Sequence, residues 1–158
     1  MFLKFISPGY VGVVVSYFGE DKGVTPKALG TGMHWIAPWE RVYEFPVFQQ
    51  NITWEGYADD NYAFDFQTKE GMAVCADIGI SFSLDHNCVP NLFKTYRRGM
   101  DEISNIFIRN HVRDSINAQA SKMAIEDLYS QGKEEFLKNV QETVSNDLSS
   151  LGIVIDRI

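Results

Sequence analysis

Long apolar runs, cysteine and surplus positive charge are what this sequence has least of. No stretch approaches the roughly 18–20 consecutive apolar residues that a bilayer-spanning helix needs. The opening run, Met1-Phe2-Leu3-Lys4-Phe5-Ile6, stops at Ser7-Pro8-Gly9. It is too short for the apolar region of a signal peptide, and no small-residue cleavage site follows it. A first strand, the remnant of an anchor and an interfacial contact all fit that run, and composition leaves the three open. Cysteine occurs only at Cys75 and Cys88. Two are too few for a disulfide framework or a zinc site, so the expectation is two free thiols in a reducing, cytoplasmic-type compartment. Without a signal peptide the glycosylation-type triplet Asn51-Ile52-Thr53 carries little weight. Net charge is −7, with 9 acidic and 5 basic residues up to Glu70 and 12 and 9 from Gly71 onward. Neither half is basic, so the long-range field repels nucleic acid and anionic headgroups, and no nucleic-acid partner is expected.

What is present suffices for one globular domain. The 158 residues are 45% hydrophobic and 13% aromatic, far from the composition of a disordered chain. Tyr10 to Phe18 is rich in valine and aromatics and reads as a strand ending in Gly19-Glu20-Asp21. Residues 19–31 have loop chemistry. Met33-His34-Trp35-Ile36 is a short apolar run closed by Pro38, and Val42 to Trp54 reads as one longer strand. Pro46 inside it predicts an edge position or a bulge. Tyr62, Phe64 and Phe66 then alternate with polar or small residues up to the turn Thr68-Lys69-Glu70-Gly71. On the return strand Met72, Val74, Ala76, Ile78, Ile80, Phe82 and Leu84 share one face. That unbroken period of two requires one buried and one small or polar face.

From Asn87 the period changes to that of a helix. Asn87 is a candidate N-cap, and Pro90 is tolerated in a first turn whose amides are unpaired anyway. The spacing predicts a helix to about Tyr96 or Arg97, a break at Gly99, and a longer helix from about Asp101 to Ala120 whose acidic start suits the dipole. One or two further helical turns follow over Met123 to Ser130. Lys133 to Leu151 is the cleanest amphipathic pattern, with Phe136, Val140, Val144 and Leu148 every four residues. Gly152 stops it, and Ile153 to Ile158 reads as a closing strand. Strands first and helices later, closed by one more strand, give an α+β fold. It divides into a mostly antiparallel β-rich subdomain over about residues 8–60 and an α/β subdomain over about 61–158.

No catalytic constellation stands out. His34, His86 and His111 are isolated from one another and from cysteine or carboxylate at metal-ligand spacing. Gly30-Thr31-Gly32 lacks the third glycine of a dinucleotide loop and precedes a strand. No serine sits in a nucleophile elbow. The carboxylate pairs Asp59-Asp60, Glu126-Asp127 and Glu134-Glu135 read as solvated surface, and Arg97-Arg98 as cations at a helix C-terminus. No catalytic residue, metal or cofactor is therefore expected. The aromatics Phe2, Phe5, Tyr10, Trp35 and Trp39 crowd into the first quarter. Amphipathic rings favour a bilayer interface, but from the residues alone the core of a small β subdomain is the first reading.

Together these segments resemble a known family. Pro8-Gly9-Tyr10-Val11-Gly12-Val13-Val14 with Tyr17-Phe18-Gly19 resembles the opening strand of SPFH (Band 7, prohibitin/stomatin-like) domains. Leu29 to Trp39 is similar to the "pGlh.i.P" segment, and Arg41 to Val47 to the strand after it. Gln67-Thr68-Lys69-Glu70-Gly71 resembles the "TkDG" hairpin, with Glu70 in place of the usual aspartate. Arg113-Asp114-Ser115-Ile116 and Phe136 to Ile155 resemble the later helices and the closing strand. The likeness runs over about residues 8–158.

The resemblance implies a non-enzymatic, membrane-associated scaffold that self-assembles into homo-oligomers. It also implies that the assembly organises membrane microdomains or membrane proteases. The family's first subdomain lies against the bilayer, which makes Phe2, Leu3, Phe5, Ile6, Trp35 and Trp39 expected lipid contacts. Family members usually carry an anchor before the domain, here missing or reduced to Met1–Ile6, and continue into a long coiled-coil helix where this sequence stops at Ile158. The sequence therefore reads either as an excised domain with an added Met1 or as a minimal form. Two rivals remain: a soluble protein–protein docking module, and an enzyme whose site forms around Cys75 or Cys88 only in three dimensions.

Overall fold

Residues 1–19, 22–56 and 64–158 are described by the computed structural model. Glu20-Asp21, Asp59-Asp60 and Tyr62 lie outside the described residues. The fold is α+β. The first strand, β1 (Phe2–Ile6), pairs antiparallel with β4 (Gly32–Ile36) as a two-stranded ribbon. β2 (Tyr10–Ser16) is the centre of a second antiparallel sheet, between β3 (Gly23–Val24) and β5 (Glu40–Pro46). β5 is an edge, as Pro46 demands, because proline offers no amide to a further neighbour.

The predicted single strand from Val42 to Trp54 is instead two. The chain leaves β5 at Pro46 and starts β6 (Gln50–Trp54), which pairs with β9 (Ile78–Leu84) in a different sheet. Strand pairing thus changes partner between Pro46 and Gln50. The hairpin after it joins β7 (Phe64–Gln67) to β8 (Ala73–Ala76), turning through Gly71 at φ 79°. β8 and β9 keep the predicted alternation, with Ile80, Phe82 and Leu84 buried, but regular pairing lapses at Asp77. There the carboxylate Oδ1 accepts from the Gly56 amide at 3.0 Å.

α1 (Val89–Tyr96) starts one residue later than expected, with Cys88 rather than Asn87 as its cap. It ends at Arg97, which takes the left-handed conformation (φ 53°) ahead of Gly99. The long helix begins as α2 (Met100–Glu102), widens into a π-helical segment over Ile103–Ile108 and continues as α3 (Arg109–Ala120). Ile103, Ile108, Val112 and Ile116 are buried, while Ile106 is exposed. α4 (Ile125–Tyr129) has no side-chain cap of its own. Glu70, the residue that departs from the family's aspartate, accepts from the Ile125 amide at 3.1 Å and ties the β7–β8 turn to that helix start.

α5 (Gly132–Ser149) buries Phe136, Val140, Val144 and Leu148. β10 (Ile153–Arg157) then closes the sheet β10-β9-β6. One core joins both halves. Val11, Val13 and Phe45 belong to the same buried cluster as Phe82, Val112 and Val140, and Phe45 meets Phe93 of α1 edge-to-face at 5.8 Å.

Candidate functional site: an apolar ribbon

Directly opposed residues in an antiparallel pair project to the same face. In the β1–β4 ribbon Leu3 opposes Trp35 and Phe5 opposes Met33. The alternation adds Met1, so one face of the ribbon reads Met1, Leu3, Phe5, Met33, Trp35. All five are exposed, from 53% for Leu3 to 79% for Met1. No polar side chain interrupts them.

The other face is built to dock on the molecule. Lys4 opposes His34 there, and Ile6 and Ile36 are buried. Lys4 Nζ reaches Glu44 of β5 at 2.7 Å. His34 Nε2 lies 2.8 Å from the Gly30 carbonyl. Ile6 sits over Gly12 of β2, where a Cβ would come within 2.5 Å of Ile6 Cδ1 and 2.9 Å of Val42 Cγ1. The missing side chain at Gly12 is what lets the ribbon approach the sheet.

Of the six residues expected to touch lipid, Leu3, Phe5 and Trp35 share the outward face. Phe2 is exposed but belongs to the opposite face, beside Tyr43 and Arg41 at the ribbon's open end. Trp39 is half exposed in the β4–β5 turn, and its carbonyl accepts from the Tyr17 amide at 3.1 Å. That bond sets Trp39 beside the exposed rings of Tyr17 and Phe18. Ile6 is a correction: it is fully buried and belongs to the core. Strand period alone separates it, since Ile6 has the parity of Phe2 and not of Leu3 and Phe5. Met33, on the same face as Leu3, and Tyr17 and Phe18, beside Trp39, are exposed but not among those six. Met33 was legible in the alternation of Met33-His34-Trp35-Ile36, whereas Tyr17 and Phe18 depend on a loop contact that no local pattern shows.

Cys75 is not an activated nucleophile. Cys75 is exposed on β8, and its thiol donates to Asp65 Oδ1 at 2.8 Å. That bond, and then the carboxylate's charge, raise the thiol above its ordinary value of 9.0, the opposite of what a reactive thiolate needs. Cys88 is half-buried against Gly152. Among the described residues no group of three His, Cys, Asp or Glu side chains is placed to hold a metal ion.

The whole chain, not the ribbon alone, decides the family. The model of the SPFH domain / Band 7 family matches residues 4–158. The chain belongs to the SPFH/Band 7 family. A comparison with curated proteins finds no match. SPFH domains are in general membrane-associated and scaffold-like, without enzymatic activity. Among the described residues no helix of this SPFH chain is long and apolar enough to cross a membrane.

Proposed function

We propose that this domain is a membrane-surface scaffold that meets one leaflet through the outward face of the β1–β4 ribbon. The carrying observation is the uninterrupted apolar face of Met1, Leu3, Phe5, Met33 and Trp35, exposed on a ribbon whose opposite face docks on the protein. Trp39, Tyr17 and Phe18 extend the contact at the level where amphipathic rings suit the headgroups. The face carries no cation and the chain is acidic, so the contact is apolar and insensitive to salt.

Each large side chain that is fully buried contributes about 1.5–3 kcal/mol, and a leaflet buries these only in part. One copy therefore binds reversibly. Side-to-side self-association multiplies weak contacts into stable attachment without any new chemistry. The assembled domain organises membrane microdomains or holds a membrane protease, as befits a scaffold with no catalytic centre.

The test is co-flotation of the chain with neutral and anionic liposomes in a density gradient. The wild type is expected to float with neutral lipid in both low and high salt. Leu3→Ser, Phe5→Ser and Trp35→Ser combined should abolish flotation and keep the cooperative melting transition. A wild-type chain that stays at the bottom would sink the lipid reading and leave a protein-docking module.

A further inference from the structure

A second apolar surface lies where β10 stops. β10 covers one edge of β9, pairing Ile153 with Leu84 and reaching Arg157 opposite Ser81. The Asp85 amide donates to the Gly152 carbonyl at 2.8 Å. Because main-chain groups alternate between the two edges of a strand, the odd-numbered residues of this strand face the β10 edge. The other edge is occupied from Met72 to Phe82. β6 pairs with Ile78 to Phe82, β7 pairs with Ala73 to Ala76, and the Met72 carbonyl accepts from Thr68 on the β7 side. Beyond Ser81, the N–H and C=O groups of Cys75, Asp77 and Gly79 thus face an edge with no strand partner among the described residues.

An open groove of about 480 Å³ runs along that edge. Val74, Ala76 and Ile78 form one wall, and Leu137 and Val140 of α5 the other, with Ile158 at its head. α5 already flanks β10, where Gln141 donates to the Asp156 carbonyl at 3.2 Å. The groove is therefore the track of β10 continued between β8 and the first half of α5.

We propose that this groove takes an extended segment of a partner polypeptide, added as a strand antiparallel to β8 and β9 in line with β10. A strand is what the edge next to it already holds. Only a peptide satisfies the three free pairs of main-chain groups, since an acyl chain would bury them unbonded. β10 itself shows the side-chain pattern the partner needs, with Ile153 and Ile155 inward and Val154 and Asp156 outward. The partner's apolar side chains recur at every second position and enter between Ile78 and Leu137.

The probe is the capped hexapeptide acetyl-Thr-Val-Thr-Ile-Thr-Val-amide, and its effect is read by amide hydrogen exchange and NMR shifts on the whole chain. Exchange should slow at Cys75, Asp77 and Gly79, and the signals of Val74, Leu137 and Val140 should move. Methylating the alternate peptide nitrogens that face the edge should weaken binding by about tenfold, one lost hydrogen bond or more. Leu137→Arg should weaken binding comparably, with an unchanged cooperative melt confirming that the variant folds. Equal binding by the methylated peptide would overturn the proposal. So would groove shifts produced by decanoate but not by the peptide, which would assign an acyl chain. Protection seen only when the same six residues are fused after Ile158 would overturn the partner as source.

Discussion

The two ends of this domain handle apolar residues in opposite ways. In the half built on β6–β10 and the helices, the apolar periods of β9, α3 and α5 end inside: Phe82, Val112, Val140 and Val144 are fully buried. In the β1–β4 ribbon an equally clean period of two puts Leu3, Phe5, Met33 and Trp35 outside. Alternation says that a strand has two unlike faces, and not which of them meets protein. A buried apolar face is expected on a sheet backed by a helix; a two-stranded ribbon lying over another sheet has nothing left to cover its outer side. The difference teaches that the ribbon's outward residues cost stability little and are free to serve contact with something else.

The sharpest way to break that comparison is to cut side chains at both ends. Phe82→Ala should destabilise by about 3–5 kcal/mol, because a large ring leaves a cavity in a shared core. Trp35→Ala should stay within about 0.5 kcal/mol, as at other surface positions. Denaturant unfolding of the two variants measures both. A cost above 2 kcal/mol for Trp35→Ala would mean that the outward face packs on protein, and the lipid reading would fail.

The ribbon's own two faces give the next contrast. Ile6→Ala should cost about 2–4 kcal/mol and Phe5→Ala almost nothing, although the two residues are adjacent. Gly12→Val approaches the same contact from beneath. Its side chain would collide with Ile6 and with the stiff, branched Val42, so a loss of about 1–3 kcal/mol is expected. Raised amide exchange in β1 and β4, with β9 unaffected, would show that the loss comes from lifting the ribbon.

How much of this was legible in the sequence follows from whether the deciding contact was local. The four-residue period of α5 gave its element, since one side chain after another meets the same layer. The alternation of Met72 to Leu84 gave the strand direction and the buried Ile80, Phe82 and Leu84, but not the lapse at Asp77 or the exposed Met72. The split of Val42–Trp54 into β5 and β6 was not legible. Both pieces are good strand formers, and only the distant β2 and β9 show that they belong to different sheets. The π-helical turns at Ile103–Ile108 and the left-handed Arg97 likewise leave no mark on apolar spacing. At the candidate site, an apolar N-terminus beside tryptophans pointed to the exposed ribbon. Ile6 was misplaced there because the run was taken whole rather than by strand parity.

A chemical contrast within the helix-backed half concerns Cys75. Its thiol sits beside Asp65, which holds it protonated above its ordinary range. Thiolate is the reacting species, so alkylation of Cys75 at pH 8 should be slower than that of a free thiol peptide. Asp65→Asn removes the charge, lowers the thiol back toward its usual range and should speed the reaction. The profile of alkylation rate against pH should move to lower pH in the variant. A profile that does not move would mean that the carboxylate is too well solvated to matter.

The smallest effect expected is at the ion pair between Lys4 and Glu44. It joins the ribbon to β5 at 2.7 Å, and both side chains are partly open to water, at 44% and 29%. Pairs of this kind contribute about 0–1 kcal/mol, because solvent screens the attraction and two long side chains lose freedom. Lys4→Met keeps most of the stem and removes the charge. The melting transition should hardly change, and high salt should shrink the difference between variant and wild type further. Ile6 and Gly12 would then be what seats the ribbon, with the charges only trimming its position. A loss above 2 kcal/mol that salt abolishes would reverse that order. The ribbon would be held electrostatically, and its docking face would be free to lift from the sheet wherever the local charge of a membrane competes for Lys4.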